Sequence, residues 1–400
     1  MVQRRNNRPP KALNEPLRAA LQGVKVLDLC IILAGPTMGR TLAEYGASVI
    51  KIDAPNRGVE VTGRLEVTNH TEINRGKRHM LLDLKTAEGK EIFWRLVEDA
   101  DVIVQNYRAG KLAKLGLGYE DIRKRRPDII YASTNAYGHV GPWAERPGHE
   151  SFIQTVTGMA ERFGGAGSSV GQPNAINDYG TGFMGAYGIA LALLHRRRTG
   201  EGQHVGTSLA YTSMTLQSPF MHEFAGKRWH EPRGQQALGS GPLARAYRAA
   251  DGWFFIGTRE KDLSRLPAIE GLHGIESLSA DALVEALAAR IAREVMQTWI
   301  ERLLAADIGA QRVVMQIEEL MCDPWVVDHG LSITREFDEL GLVTACGPTP
   351  RLSRTPVVPG AAPPKPGKHA REILEEIGWG DRYEQLHAAG VIRTDGVRAG

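Results

Sequence analysis

The chain has 400 residues, of which 42% are hydrophobic and 24% are charged, and its formal net charge is +3. This length exceeds one ordinary hydrophobic core and predicts two domains, with the composition of a soluble globular enzyme. The small net charge and the lack of a Lys/Arg block interleaved with aromatics argue against a nucleic-acid-binding protein.

Cysteine usage and apolar runs bear on the compartment. Cys30, Cys322 and Cys346 are far apart and form no C-x-x-C pair, which excludes a disulfide framework and suits a reducing compartment. The polar, arginine-rich residues 1–16 predict a frayed tail and not a secretion signal. The longest apolar stretch, residues 181–194, is too short to span a bilayer. We therefore predict a cytoplasmic protein.

The first half of the chain alternates predicted strands and helices. Their order implies a doubly wound parallel sheet, an α/β fold of the Rossmann type. Ligands of such sheets bind beyond the carboxyl ends of the strands, here near residues 30–36, 106–110 and 135–138. The predicted strands span residues 24–29, 48–52, 101–104 and 128–132, and the predicted helices span 36–45 and 86–98, with further helical turns to Arg125.

A nicotinamide site is the first alternative. Strand, helix and strand are followed by Asp53, about twenty residues after the first turn, which copies the layout of such a site. The turn itself reads Leu33-Ala34-Gly35-Pro36 and lacks the G-x-G-x-x-G glycines, so no backbone cradle for a pyrophosphate forms. The pattern therefore argues against a dehydrogenase.

The pattern changes after residue 227. Gly239-Ser240-Gly241-Pro242 is predicted to be a tight loop, and residues 244–249 and 253–257 are predicted to form a hairpin. A helical stretch over residues 280–304 completes a smaller α+β domain, residues 228–328. A proline-rich connector over residues 356–367 and an amphipathic helix over residues 368–389 follow.

A carboxylate stands at the start of a long apolar helix. The sequence Asn177-Asp178-Tyr179-Gly180-Thr181-Gly182 precedes an apolar run that ends in three arginines, Thr199 and Gly200. Cations favour the negative end of the helix dipole, and a glycine suits the C′ position. Asp178 is therefore predicted near the positive end, where an ionised carboxylate is favoured, and at this point it is equally a helix cap or a reactive group.

The sequence contains no H-E-x-x-H, so we predict no metal site. Gly167-Ser168-Ser169-Val170-Gly171 fits the letters of G-x-S-x-G, but this glycine-rich segment follows no predicted strand, so we predict no serine nucleophile elbow. His149 and Glu150 are predicted to open a helix over residues 151–163. A histidine and two carboxylates at helix starts are typical of covalent or acid–base catalysis at a carbonyl group, although ordinary residues in the first turn of a helix show the same pattern. Cations that could meet the phosphates of a cofactor, or else be solvated surface charges, are Arg57, Arg78, Lys85, Arg108 and Lys114.

Taken together, several motifs resemble those of the family III CoA-transferases of the CaiB/BaiF type, which include formyl-CoA transferase and carnitine CoA-transferase, with α-methylacyl-CoA racemase as a relative. The matching stretches run in order through residues 20–260. They include Val26-Leu27-Asp28-Leu29, Leu33-Ala34-Gly35-Pro36, Ala47-Ser48-Val49-Ile50-Lys51-Ile52-Asp53, Asn74-Arg75-Gly76-Lys77-Arg78, Leu82-Asp83-Leu84-Lys85, Ala100-Asp101-Val102-Ile103-Val104-Gln105-Asn106-Tyr107, Leu115-Gly116-Leu117-Gly118-Tyr119, residues 138–142, residues 177–182 and Arg198-Thr199-Gly200-Glu201-Gly202-Gln203.

The resemblance implies a large Rossmann-like CoA-binding domain built from both chain ends, residues 1–227 and 329–400, around the small domain. It also implies an interlocked homodimer of ring-shaped subunits. In the family's chemistry an aspartate, here Asp178, attacks an acyl-CoA thioester and gives a mixed anhydride and CoA thiolate. The thiolate returns to form an aspartyl-CoA thioester, from which an acceptor carboxylate takes the CoA.

The resemblance also implies the surrounding site. Glu150 matches a family active-site glutamate, and Gly239-Ser240-Gly241 matches a mobile glycine loop that can stabilise oxyanions, although it is shorter here. Acyl-CoA is a substrate, and no metal is implied. The expected CoA-binding residues are Ile32, Leu33, Ala34, Arg57, Leu82, Lys85, Asn106, Tyr107, Lys114 and Leu115.

Three departures from the family pattern keep an alternative open. Leu33 replaces an active-site glutamine of formyl-CoA transferase, and Ala54 replaces a nucleotide-contacting arginine for which Arg57 can substitute. His149 stands where the racemases have a catalytic histidine, so His149 and Asp178 could be the paired bases of an α-methylacyl-CoA racemase. The glycines after Asp178 favour the transferases. A structural subunit without activity is disfavoured because Asp178 is present, and the acids exchanged are not predicted.

Overall fold

The computed structural model describes residues 19–55, 70–165, 167–227, 232–337 and 341–394. The strands are β1 Lys25–Asp28, β2 Ser48–Asp53, β3 Lys77–Leu82, β4 Val102–Gln105, β5 Ile130–Asn135, β6 His204–Ser208, β7 Gly239–Gly241, β8 Ala244–Arg248, β9 Trp253–Gly257, β10 Gly309–Arg312, β11 Ser332–Phe337, β12 Gly341–Cys346 and β13 Ile392–Arg393. The helices are α1 Ala34–Glu44, α2 Ala87–Asp99, α3 Tyr119–Arg125, α4 Glu150–Val156, α5 Met159–Gly164, α6 Ile176–Thr199, α7 Leu209–Leu216, α8 Ala280–Ile291, α9 Met296–Ala305, α10 Glu318–Met321, α11 Pro324–Asp328, α12 Ala370–Glu376 and α13 Tyr383–Ala388.

The chain divides into two compact units whose boundaries differ from the predicted ones. The larger unit comprises Met1–Thr157, Pro173–Phe220 and Met321–Gly400, and the smaller comprises Gly158–Gln172 and Met221–Leu320. The predicted small domain, residues 228–328, omits the segment around α5. That segment joins the smaller unit through backbone hydrogen bonds, including one from the Gly234 N–H to the Arg162 carbonyl oxygen at 2.9 Å.

A seven-stranded sheet lies at the centre of the larger unit, in the order β13-β3-β2-β1-β4-β5-β6. The first six strands of the chain pair in parallel, and β13 pairs antiparallel to β3. The order 3-2-1-4-5-6 is that of the Rossmann fold and reverses between β1 and β4. The predicted α/β class with a parallel sheet is therefore confirmed.

Both faces of the sheet are covered, because strands with two buried faces carry nearly continuous apolar runs. One face packs α2 and α12 onto residues such as Leu27, Ile50 and Ile103. The other face packs α1 and α6 onto Val26, Val49 and Val102. Adjacent residues of one strand thus enter different cores, as the period of two requires.

Strand β3 lies where no strand is predicted, because its sequence Lys77-Arg78-His79 is polar. Lys77 and His79 are buried, and each has a partner on another strand. The Lys77 ammonium lies 2.6 Å from Asp28, and His79 Nε2 lies 3.0 Å from Asp53. Paired charges of this kind can occupy a buried strand without an apolar pattern.

Three predicted helices are shorter than expected. The helix predicted over residues 151–163 is divided into α4 and α5 at Gly158, whose φ of 77° ends α4. The stretch over residues 280–304 is divided into α8 and α9. The terminal helix over residues 368–389 is divided into α12 and α13, with Gly378 at a φ of 75° after α12. A left-handed glycine is a common helix terminator.

The smaller unit contains an antiparallel sheet in the order β10-β9-β8-β7. The predicted hairpin is present as β8 and β9. The prediction of a loop at Gly239-Ser240-Gly241 is wrong, because these residues form the edge strand β7 beside β8. A Cβ atom on Gly239 would lie 2.1 Å from the Ala244 carbonyl oxygen, so the close pairing requires glycine. In the described part of the chain, no helix is long and apolar enough to cross a bilayer.

Candidate active site

Glycines in the Asp178 motif bring α6 close to α1. A Cβ atom on Gly182 would lie 2.5 Å from Thr37 Cβ and 2.8 Å from the Ala34 carbonyl oxygen. A Cβ atom on Gly185 would lie 2.1 Å from Met38 Sδ. The two helices can approach this closely only without side chains at these positions. The second and third turns of α6 therefore lie against the start of α1.

Glu150 caps α6 from the neighbouring helix α4. Its Oε2 accepts a hydrogen bond from the Asp178 backbone N–H at 2.8 Å, and its Oε1 accepts one from Asn177 Nδ2 at 2.7 Å. Gln154 Nε2 also donates to Oε1 at 2.8 Å. The N-cap residue itself is Ala175, which has no side chain able to cap. An anion at a helix N-terminus satisfies its free N–H groups and its positive dipole end.

Asp178 is half-buried and does not cap its own helix. Burial raises the pKa of its carboxyl group, and the neighbouring Glu150 raises it further, to about 7. A hydrogen bond from the Ala34 backbone N–H acts in the opposite direction. The expectation that the helix start favours the ionised form is thus wrong, because Glu150 already occupies that position. A carboxyl group that titrates near neutral pH, in a carboxylate pair, is a recognised feature of reactive sites.

His149 has a different environment. It is exposed at the start of α4, and its ring lies 4.5 Å from the ring of Phe152, centre to centre. The structure therefore places Glu150 and Asp178 together, whereas His149 packs along its own helix.

The loop between β1 and α1, residues 29–33, lies at the point where the strand order reverses. Ile32 is exposed and has a φ of 71°, which is rare for a β-branched residue. Asn106, just after β4, accepts from the Ile31 backbone N–H at 2.8 Å and donates to the Ile31 carbonyl oxygen at 2.6 Å. Two of the predicted ligand-binding segments therefore meet here, where α/β sheets bind ligands.

The other predicted CoA-binding residues fall into three groups. Leu33 and Leu82 are buried, and Leu82 pairs with Ile392 of β13. Lys85 and Lys114 are exposed, and Tyr107 and Leu115 are partly buried against the core. Arg57 lies outside the described residues.

Arg78 is not an available phosphate ligand. Its guanidinium lies 2.7 Å from Glu372 and 2.5 Å from Glu376, both on α12, and its pKa is raised by these two carboxylates against the effect of burial. The interpretation of Arg78 as a cofactor contact is therefore wrong, because the α12 carboxylates take its donors. Arg108 is exposed.

Gly239-Ser240-Gly241 belongs to the smaller unit, and the Asp178 pair belongs to the larger one. Within the smaller unit, a Cβ atom on Gly241 would meet no atom within 4 Å. Among the described residues, no group of three or more His, Cys, Asp or Glu side chains could hold a metal ion.

A buried polar network beneath the β1–α1 loop escaped prediction. Asp28 Oδ1 accepts from the Cys30 backbone N–H at 2.8 Å, and Lys77 Nζ donates to the Pro36 carbonyl oxygen at 2.8 Å. Asp53 lies beside Lys51 and His79, so it is not available to a ribose. The available signal was the charged residues that interrupt or end the apolar runs of two strands, Asp28 in β1 and Lys51 with Asp53 in β2.

Comparison with known proteins agrees with this fold. The model of the family described as CoA-transferase family III matches residues 21–370. The chain belongs to CoA-transferase family III. A solved structure of a CaiB/BaiF family protein from Brucella suis superposes with a TM-score of 0.77 at 28% identity, covering 90% of this chain and all of that one.

Relatives named as racemases and relatives named as CoA-transferases are both found. The α-methylacyl-CoA racemase of Homo sapiens is 31% identical over 95% of this chain and 99% of its own length. The succinyl-CoA:glutarate CoA-transferase of Mus musculus is 29% identical over 93% of this chain and 90% of its own. The succinate–glutarate CoA-transferase of Agrobacterium fabrum is 30% identical over 89% and 95%. Family membership and the relatives named as CoA-transferases support an enzyme of the acyl-CoA:carboxylate CoA-transferase type.

Proposed function

We propose that this enzyme transfers CoA from an acyl-CoA to a free carboxylic acid through covalent intermediates on Asp178. The observation that carries the proposal is the half-buried Asp178 carboxyl group beside Glu150, with a raised pKa and no capping role. A carboxylate is a suitable nucleophile for nearly isoenergetic acyl exchanges, because it is also a fair leaving group. A raised pKa makes the ionised form a better nucleophile than an ordinary aspartate.

The proposed reaction is a series of acyl transfers between carboxylate oxygens and the CoA thiolate. An Asp178 oxygen attacks the thioester carbon, the C–S bond breaks, and a mixed anhydride and CoA thiolate form. The thiolate then attacks the aspartyl carbonyl of the anhydride and expels the donor acid as its carboxylate. The acceptor carboxylate attacks the aspartyl carbonyl of the resulting thioester, the C–S bond breaks, and a second mixed anhydride and CoA thiolate form. The thiolate then attacks the acceptor acyl carbon, which gives the new acyl-CoA and expels Asp178 as its carboxylate.

The β1–α1 loop and Asn106 are proposed to seat the CoA, with Ile32, Leu33, Ala34, Leu82, Tyr107 and Leu115 along its path. Lys85, Lys114 and Arg57 would face its phosphates. Lys85 and Lys114 are exposed, which suits contact with a bound anion.

Gly239-Ser240-Gly241 is proposed to donate backbone N–H groups to the oxyanion that forms in each exchange. Gly241→Ala is the appropriate test, because its Cβ atom meets nothing and the backbone is not left-handed. Alanine keeps the backbone N–H, so the expected fall in kcat, with unchanged thermal stability, comes from the added methyl group, which hinders the approach of the oxyanion to that N–H. Unchanged kcat would remove the strand from the mechanism.

A trapping experiment tests the covalent route. Acyl-CoA plus hydroxylamine should convert Asp178 to a hydroxamate, which adds 15 Da to the peptide that carries it, and Asp178→Asn should show neither labelling nor transfer. An unchanged peptide mass in the active enzyme would exclude the covalent mechanism.

Racemisation of a 2-methylacyl-CoA is the second candidate, favoured by the 31% identity to the human racemase and by His149. It predicts that solvent deuterium enters the α-position without any acceptor acid and that His149→Ala abolishes this exchange. Transfer is the first candidate because the structure gives Asp178 a neighbouring carboxylate in Glu150, whereas the ring contact of His149 is with Phe152.

We also propose that the chain forms a homodimer. Helix α6 exposes an apolar stripe (Phe183, Met184, Tyr187, Leu191 and Leu194) on one face, and a second copy of the chain is the occupant that the family resemblance implies. Contiguous exposed apolar side chains of this extent mark interaction surfaces.

A further inference from the structure

The β1–α1 loop contains a residue in an unfavourable conformation. Ile32 has a φ of 71°, and 62% of its surface is exposed, so packing of its side chain does not hold it there. Left-handed backbone is rare for β-branched residues and persists only where surrounding contacts impose it. The contacts that impose it must therefore act on neighbouring residues.

Asn106 contacts Ile31, the residue just before Ile32. Its side-chain amide both accepts from the Ile31 N–H and donates to the Ile31 carbonyl oxygen, at 2.8 and 2.6 Å. One amide thus pairs with both polar backbone groups of one residue, as a neighbouring strand would. Gly35 packs against the same side chain, since a Cβ atom there would lie 3.0 Å from Asn106 Cγ.

The loop leads directly into the first turn of α1. Ala34 follows Ile32 by two residues, and its backbone hydrogen bond reaches the Asp178 carboxyl group. The direction of the Ala34 N–H therefore depends on the conformation of the loop. The Asp28–Lys77 pair fixes Cys30 and Pro36 on either side but does not contact Ile31.

We propose that Asn106 is a positioning residue for the nucleophile: its side-chain amide holds the loop so that the Ala34 N–H meets the Asp178 carboxyl group. This inference rests on the proposed role of Asp178. It gives Asn106 a role besides that of a CoA contact. Neither aspartate, which repels the Ile31 carbonyl oxygen, nor alanine can hold the loop in this way.

Asn106→Ala and Asn106→Asp test the proposal. Both should lower kcat by ten- to a hundredfold, in addition to any rise in the KM for acyl-CoA that the loss of a CoA contact causes. The acid limb of the kcat/KM profile should move to higher pH, because the lost Ala34 hydrogen bond no longer lowers the pKa of Asp178. A raised KM with unchanged kcat and an unchanged acid limb would show a CoA contact only and would overturn the proposal.

A rescue distinguishes positioning from general damage to the fold. Glycine adopts positive φ without strain, so Ile32→Gly in the Asn106→Ala background should recover at least threefold in kcat relative to Asn106→Ala. A double variant no better than Asn106→Ala would overturn the proposal. If Asn106→Ala does not fold, the same comparison is made in the Asn106→Asp background.

A readout without turnover separates this proposal from the proposed function. The Asp178 carboxyl carbon is titrated by ¹³C NMR, and its resonance is assigned as the one that is missing in Asp178→Asn. A higher midpoint in Asn106→Ala supports the positioning role, and an unchanged midpoint overturns it. Failure to trap Asp178 with hydroxylamine in the unmodified enzyme would instead overturn the covalent mechanism, whatever the titration shows.

Discussion

The two carboxyl groups at the start of α6, those of Glu150 and Asp178, have different environments. Glu150 accepts hydrogen bonds from the first turn of α6 and so occupies the place where a negative charge is most stable. Asp178 is displaced from that place, and burial together with the charge of Glu150 raises its pKa to about 7. The environments of the two groups thus separate an anion that caps the helix from a carboxyl group with a raised pKa.

The pH dependence of activity follows from this difference. The nucleophile must be ionised, so kcat/KM should rise with pH, with a midpoint near 7, and level off above it. Removing the charge of Glu150 with Glu150→Gln should lower the pKa of Asp178 and move the midpoint to lower pH. It should also reduce kcat about tenfold or more, because one N–H of α6 loses its acceptor. Steady-state rates between pH 5 and 9 measure both effects.

Glu145→Gln is the matched control for this prediction. Glu145 is an exposed carboxylate five residues before Glu150, and its removal should leave the midpoint unchanged. An equal displacement in both variants would mean that the profile reports overall charge, not the Glu150–Asp178 pair.

At the scale of elements, the contact between α1 and α6 sets the geometry of the site. Gly182→Ala places a methyl group against Thr37 and the Ala34 carbonyl oxygen, so the helices must separate. We expect a loss of about 2 kcal/mol or more in unfolding free energy and a fall in kcat, since Ala34 and Asp178 move apart. Denaturant unfolding and steady-state kinetics measure the two quantities.

Gly188→Ala provides the comparison within the same helix. A Cβ atom there would lie 2.8 Å from one methyl group of Val205, so only that side chain must shift and no backbone atom, and the better helix propensity of alanine offsets part of the cost. The unfolding free energy should change by less than about 1 kcal/mol. Equal losses at the two positions would refute the close-approach explanation for Gly182.

Sequence patterns predicted the elements whose stability is local. The apolar runs of β1, β2 and β4 and the glycine and arginines that end α6 were visible as such. Strand β3 was not, because its buried Lys77 and His79 are stabilised by residues distant in sequence. Asp178 and Glu150 were identified as candidates, but the capping role of Glu150 depends on how α4 meets α6. A tertiary contact of this kind leaves no periodic signal.

At the scale of the whole larger unit, the C-terminal segment is attached through neutral histidines. His70 lies with Nε2 at 3.0 Å from the Pro364 carbonyl oxygen, and His79 Nδ1 accepts from the Gly367 N–H at 2.8 Å. Burial, followed by the proximity of His79, lowers the pKa of His70 to about 4. Residues 70–79 and 364–367 are thus joined by histidines that are uncharged in the folded state.

Acid should therefore weaken this attachment. Because the folded-state pKa of His70 is below its unfolded value, its contribution is complete above about pH 6.5 and is lost as pH falls towards 4. Between pH 7 and 4.5 the unfolding free energy should fall in both proteins, and we expect the fall to be about 1–2 kcal/mol smaller in His70→Gln than in the unmodified protein. Denaturant unfolding at both pH values measures this difference. The exposed His195→Gln should behave as the unmodified protein, and a His70→Gln variant with unchanged acid sensitivity would contradict the assignment.

The apolar stripe on α6 gives the last prediction. Its members recur every three or four residues, so they form one face of the helix, opposite the buried face that includes Ile189 and Ala192. Two charges at the centre of the stripe, Tyr187→Glu with Leu191→Glu, should weaken self-association at least tenfold, because each carboxylate would be desolvated at an interface. Sedimentation velocity should find the unmodified protein dimeric and this variant monomeric at the same concentration. A monomeric unmodified protein would contradict the homodimer itself.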